Sequence, residues 1–287
     1  MTILFTVACL FTLGLVFSVI LYFVAQKFKV EEDPRIEQVE KLLPGANCGG
    51  CGNAGCRAFA ERIVSAESME GFFCPVGGNE VMNQIAQALG RTAVEGDAKV
   101  AVVRCSGSPD CRKRTSVYDG YASCKVMASL YKGDTDCSYG CLGQGDCASA
   151  CEFGGVSMDP VRHLPIIDTS ICVGCGGCAE ACPKGVIELR SRGIKERRVY
   201  VSCVNRDKGA ITRKACTVGC IGCGKCAKVC PFEAIKVEGN VAYIDFTKCR
   251  LCRKCVEECP THAIAAVNFP PKPPVAPVEV QAQEEQQ

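Results

Sequence analysis

The chain has no tryptophan and only two histidines among its 287 residues. With so little imidazole, any metal centre must draw its ligands almost entirely from sulfur. A large excess of one charge sign is missing too. The formal net charge of +2 argues against a nucleic-acid surface spread over the whole molecule. No glycine-rich phosphate loop and no acid–base constellation stands out, so the chain is expected to bind neither nucleotide nor flavin and to need no catalytic residue of its own. Charge is also absent from residues 2–25, TILFTVACLFTLGLVFSVILYFVA. That run is long enough for a bilayer-spanning helix. A cleaved signal peptide would want a basic stretch before the apolar one and a small-residue cleavage site, whereas here the first cations, Lys27 and Lys29, follow it. The positive-inside rule then puts the N-terminus outside and everything after about residue 27 in the cytoplasm, a reducing compartment that keeps thiols free.

What is present in excess is cysteine, 26 residues in all. Small secreted domains reach such densities with disulfides. Here, however, the cysteines recur in short loops, where three thiolates converge on a point more easily than they pair. The runs CVGCGGCAEACP (172–183), CIGCGKCAKVCP (220–231) and CRLCRKCVEECP (249–260) all read Cys-x2-Cys-x2-Cys-x3-Cys-Pro. This is the bacterial ferredoxin pattern, whose fourth cysteine ligates the other [4Fe-4S] cluster of a pair. A zinc ribbon would separate two Cys-x2-Cys knuckles by a longer spacer.

Clusters of this kind come in pairs, so three motifs leave one site over. Aligning CSYGCLGQGDCASACEF (137–153) with CTVGCIGCGKCAKVCPF (216–232) supplies the fourth. Cys141, Cys147 and Cys151 fall on Cys220, Cys226 and Cys230, while Gln144 falls on Cys223. The missing ligand must come from outside the loop, and Cys137, just upstream, is the expected replacement. Further parallels join IIDTSIC (166–172) with YIDFTKC (243–249), VAVVRC (100–105) with RVYVSC (198–203), and Cys124-x12-Cys137 with Cys203-x12-Cys216. The chain reads as duplicated.

The expected ligand sets are Cys137, Cys141, Cys147 with Cys182, and Cys172, Cys175, Cys178 with Cys151, in the first half. In the second they are Cys220, Cys223, Cys226 with Cys259, and Cys249, Cys252, Cys255 with Cys230. Upstream, NCGGCGNAGCRAFAERI (47–63) and FFCPVGG (72–78) place Cys48, Cys51, Cys56 and Cys74 as a self-contained site on a small helical domain, read either as a fifth cluster or as zinc. Cys105, Cys111, Cys124, Cys203 and Cys216 remain, open between a sixth cluster bridging the halves and ordinary buried thiols.

Other features carry less. Cys216-x3-Cys220-x2-Cys223 matches a radical S-adenosylmethionine spacing, but Cys220 and Cys223 already belong to a ferredoxin motif. His163 and His262 lack a Cys-x-His pairing and read as ordinary polar residues. The basic segment RSRGIKERR (190–198), with Arg206, Lys208, Arg213 and Lys214 nearby, reads either as a solvated linker and strand surface or as a docking patch for an acidic electron carrier.

The expected architecture is α+β: a membrane anchor helix (1–29), a small 4Fe-4S domain (30–98), two tandem two-cluster ferredoxin-like units (99–190 and 191–268), and a Pro-, Gln- and Glu-rich disordered tail (269–287). An apolar N-terminal run, then LLPGANCGGCGNAGC with a later Cys-Pro, then ferredoxin motifs, closely resembles the B subunits of the Rnf complexes. CSYGCLGQGDC and the second two-cluster unit resemble the longer anaerobe and clostridial type. The resemblance implies a subunit of an ion-translocating ferredoxin:NAD+ oxidoreductase in the cytoplasmic (inner) membrane, which accepts electrons from soluble ferredoxin and relays them to other subunits. It also implies that the flavin and the ion path lie in those other subunits. Glu152 departs from the family pattern, standing where a proline follows the fourth cysteine. Competing readings are an electron-transfer subunit of another membrane reductase and a membrane-tethered zinc scaffold.

Overall fold

The computed structural model describes residues 2–27 and 33–270; Lys29 and nearly all of the Pro- and Gln-rich tail lie outside these. Helix α1 (Thr2–Lys27) contains the apolar span Leu4–Val24, with a mean hydropathy of 2.6 and no residue of it buried against the rest of the chain. Among the described residues it is the one helix long and apolar enough to cross a membrane.

A small helical domain follows. Asp33 caps α2 (Pro34–Leu42) by accepting the N–H of Arg35, and Pro34 fits the first turn because no intrahelical donor is needed there. Helices α3 (Cys56–Ser65) and α4 (Gly78–Leu89) complete the domain, and Gly90 ends α4 in the left-handed conformation that lacks a Cβ penalty. Val39, Leu43, Phe59, Ile63, Met82 and Ile85 fill the space between the three helices. Cys74 is its one buried cysteine, and the remainder of this core is apolar side chains of the domain's own.

The remainder is two copies of one plan. The first unit runs β1 (Lys99–Val103), α5 (Cys124–Leu130), α6 (Asp146–Ser149), β2 (Val156–Met158), β3 (Pro165–Ile167), α7 (Gly177–Glu180), β4 (Ile187–Ser191). The second runs β5 (Arg198–Val201), α8 (Gly209–Ala215), α9 (Lys225–Lys228), β6 (Ile235–Glu238), β7 (Val241–Ile244), α10 (Lys254–Glu257), β8 (Ile264–Val267). In each, the first strand pairs antiparallel with the last, β1 with β4 and β5 with β8, and a hairpin lies between, β2–β3 or β6–β7. Lys99 stands opposite Ser191 and Arg198 opposite Val267. VAVVRC and RVYVSC are thus equivalent in place as well as in sequence. Asp168 and Asp245 make the same turn ahead of Cys172 and Cys249, each carboxylate accepting the N–H two residues on. Strands this short bury little apolar surface, and the second unit's core includes the sulfurs of Cys203, Cys220, Cys226 and Cys255.

The two ends of the basic segment 190–198 are not a solvated surface, whereas Lys195 between them is exposed, as are Arg206, Lys208, Arg213 and Lys214. Arg190 is 1% exposed and Arg198 5%, because both sit on strands covered by their neighbours. The Arg190 guanidinium lies 5.1 Å from the centroid of Tyr243, 5.7 Å from Phe246 and 5.8 Å from Tyr200. Its Nε is 3.3 Å from Oε1 of Glu188, a coulombic pairing without hydrogen-bond alignment. A residue of the first unit is therefore held by aromatic faces of the second.

Candidate metal centres

Every cluster loop needs tight turns that bring three thiols to one side. Pairs of left-handed residues provide them: Gly174 and Gly176, Gly222 and Gly224, and, without glycine, Leu251 and Arg253. The loop 141–147 has the same pair, Gly143 and Gly145, flanking Gln144. Its fold is that of a working site although the middle cysteine is absent. Glu152 does not disturb the following turn either. The N–H of Cys151 reaches the carbonyl of Ala148, as Cys182, Cys230 and Cys259 reach those of Ala179, Ala227 and Val256.

Three cavities are walled by four cysteines each. Cys48, Cys51, Cys56 and Cys74 line one in the helical domain. A second is lined by Cys124, Cys141, Cys147 and Cys182. The third is lined by Cys105, Cys137, Cys203 and Cys216. Cys137 therefore does not join Cys141, Cys147 and Cys182, as the spacing predicts; Cys124 stands there instead. The reason is local. Asp146, inside the loop, accepts the N–H groups of Cys124 and Lys125 and the hydroxyl of Ser123, each at 2.9 Å, and so fixes the start of α5 against the loop. Burial opposes ionisation of this carboxyl, but those donors together hold it below the usual range. Gln144 in turn touches Met127 of α5, Nε2 to Sδ 3.8 Å.

The other sets come together as the ferredoxin pattern predicts. Burial pushes the Cys178 thiol up to about 12, with Cys172, Cys175 and Cys151 adding to the effect. Cys226 is pushed up to about 11 by burial and by neighbouring Cys220, Cys223 and Cys259. Cys255, pushed up to about 12 by burial, is flanked by Cys249, Cys252 and Cys230. Thiols in this state stay protonated at neutral pH unless a metal's charge replaces the proton. Buried N–H groups already point at several sulfurs: Gly77 N to Cys74 Sγ and Ala242 N to Cys220 Sγ at 3.4 Å, and Ala263 N to Cys259 Sγ at 3.3 Å.

These donor sets fit iron–sulfur clusters. Four thiolates about one zinc at about 2.3 Å would stand only about 4 Å apart. Among the described residues no three Cys, His, Asp or Glu side chains converge closely enough to share one ion. A cluster with four irons wants the wider spacing, one thiolate to each iron.

The comparisons agree with this geometry. The FeS family model, for an iron–sulfur cluster motif, matches residues 43–71, and the 4Fe-4S dicluster domain model matches residues 136–186, 171–234 and 219–263. The B subunit of the proton-translocating ferredoxin:NAD+ oxidoreductase complex of Clostridium ljungdahlii is 47% identical over 242 residues, covering 84% of this chain and 83% of the relative. The chain belongs to this B-subunit family. The B subunit of the Na+-translocating ferredoxin:NAD+ oxidoreductase complex of Acetobacterium woodii is 41% identical over 87% of this chain and 74% of its own length. The B subunit of the ion-translocating oxidoreductase complex of Methanosarcina acetivorans is 42% identical, over 86% and 92%. As a member of the family, the chain carries 4Fe-4S dicluster domains in tandem behind an apolar N-terminal helix.

Proposed function

We propose that this chain is the membrane-anchored electron-transfer subunit of an ion-translocating ferredoxin:NAD+ oxidoreductase, with at least five [4Fe-4S] sites. The observation that carries it is the adjacency of the cysteine sets. Cys175 lies beside Cys48, and a side chain on Gly50 would come within 2.7 Å of the Cys175 carbonyl oxygen. Cys178 neighbours Cys147 within the first unit, and Cys255 neighbours Cys226 within the second. When bound, the clusters supply one-electron transfer between such neighbours. The protein's own part is to hold each set, bury it from water and aim N–H groups at its sulfurs.

The partner is soluble ferredoxin, an acidic carrier, and it docks on the second unit. Cys223 and Cys252 are the two exposed thiols outside α1. Their loops carry Lys225, Lys228, Lys248, Arg250, Arg253 and Lys254, whereas the equivalent loops 141–147 and 172–178 carry no cation. Complementary charge speeds encounter and sets orientation. The helical domain, tethered directly to α1, is the opposite end, facing the other subunits. The cations that follow the apolar span support an N-terminus outside and cysteine-rich domains in the cytoplasm. Relatives named for protons and for Na+ are similarly close, 47% and 41% identical, which favours an ion path in other subunits.

The test is to purify the membrane complex containing this chain and measure NAD+ reduction by reduced ferredoxin, with iron and zinc assayed on the isolated chain. Ferredoxin-dependent NAD+ reduction and a brown, iron-rich chain are expected. A colourless chain with stoichiometric zinc, or a complex inert toward ferredoxin, would sink the reading.

A further inference from the structure

Cys105, Cys137, Cys203 and Cys216 meet in one cavity although they come from different halves of the chain. They are equivalent in pairs. Cys105 and Cys203 follow the matching strands β1 and β5, and Cys137 and Cys216 precede the matching loops at Cys141 and Cys220. The cavity thus lies where the two repeats face each other, each giving the same two cysteines. We infer that these four cysteines hold a sixth [4Fe-4S] cluster, built half from each ferredoxin-like unit, while Cys124 completes the site of Cys141, Cys147 and Cys182.

Several independent features carry this. The cavity is walled by four cysteines, as are the two others. Three of its four sulfurs accept a buried N–H at 3.5 Å: Cys105 from Cys141 N, Cys203 from Asn205 N, and Cys137 from the Asn205 side-chain amide. Asn205 is 2% exposed, so its amide is committed to this site. Arg112, 8% exposed, lines the cavity with its Nε free of any hydrogen-bond partner, and Arg104 lines it too. Two cations beside four thiolates offset the anionic charge such a site carries. Cys111 is different: its sulfur meets the Ser108 hydroxyl at 3.4 Å and it does not line the cavity.

Position argues the same way. Cys105 touches the Cys141 site through that N–H, and Cys203 lies against Cys220, whose backbone N–H it accepts. The sixth site therefore stands between the clusters of the first unit and those of the second, and the sets adjoin one another from the helical domain to Cys252. This rests on the iron–sulfur reading of the other five.

The full-length chain, purified anaerobically in detergent, tests it by iron assay and native mass spectrometry. Six clusters, about 24 irons per chain, are expected. Cys203→Ala and Cys137→Ala should each remove about four irons, and the two together no more than either. Cys124→Ala with Cys137→Ala should remove about eight, because they serve different sites. Cys111→Ala should keep the full complement. Five clusters in the unaltered chain, with or without one zinc, would overturn the inference, and so would a Cys203→Ala chain with undiminished iron. Since the count on the unaltered chain decides by itself, misfolding of a variant does not shelter the idea. A chain with no iron at all would instead defeat the proposed function.

Discussion

The carboxylate of Asp146 accepts the backbone N–H of Cys124 across 2.9 Å, tying a residue of the loop that lacks its second cysteine to the residue that stands in for it. Gln144 occupies the vacated position between Gly143 and Gly145, both left-handed. The loop therefore keeps the shape of the other cysteine loops while a fourth cysteine arrives from α5. Cys124→Ala should lose about four irons, and Gln144→Ala none. Adding Gln144→Cys to Cys124→Ala should restore them, since that residue then matches Cys223. Iron per chain and integrated EPR intensity of the reduced protein check this; failure of the rescue would show that the gap at 144 is not a ligand position.

Asp146→Ala should loosen the same site without removing a ligand. Three donors at the start of α5 lose their acceptor. By analogy with lost helix caps this costs about 1–2 kcal/mol. The expected reading is chelator-driven iron release in which about four irons leave faster than the rest. Uniform release kinetics would rule the anchor out.

Arg190 presents another kind of dependence. Its buried guanidinium has no hydrogen-bond partner and rests on Tyr243, Phe246 and Tyr200. Arg190→Met should destabilise the packing of the two units by about 1–3 kcal/mol, read as a lower thermal midpoint. Burial pushes the Cys249 thiol up, and this cation works against that shift. The site of Cys230, Cys249, Cys252 and Cys255 should accept an electron less readily without it, so its reduction potential should fall in an EPR-monitored titration.

Docking is open to a charge test. Arg250→Glu with Lys254→Glu should raise the KM for ferredoxin in the intact complex by roughly tenfold and flatten its salt dependence, with kcat little changed. Lys195→Glu, an exposed cation away from the cysteine loops, should do nothing. Equal effects from both variants would mean that only net charge matters.

Removing iron should divide the molecule. The helical domain keeps its core of Val39, Phe59, Ile63, Met82 and Ile85, whereas the second unit's core counts four cysteines among its buried members. After chelation, hydrogen exchange should leave amides of α3 and α4 protected while β5–β8 become exchangeable.

Much of the molecule is legible in the chain itself. The Cys-x2-Cys-x2-Cys-x3-Cys pitch names its chemistry because adjacent thiols in a short loop can only converge. The apolar run at 2–25 announces a helix long enough to span a membrane, and the repeat of IIDTSIC and YIDFTKC marks the duplication. Two features were not legible. One is the fate of Arg190, whose charge suggests surface in any linear reading but whose buried guanidinium lies against Tyr243 and Phe246 of the other unit. The other is the partnering of the irregular cysteines.

By itself, then, the sequence determined that cysteine sets exist, how many loops carry them, and that an apolar helix long enough to cross a membrane precedes them, since those depend on local spacing and composition. Only the tertiary structure decided that Cys124 fills the gap at Gln144 and that Cys137 turns to Cys105, Cys203 and Cys216. Between Cys105 and Cys137 lie 31 residues, against 12 between Cys203 and Cys216. The longer connection carries Cys124 and α5, and spacing cannot say where it folds back; the hydrogen bonds of Asp146 do.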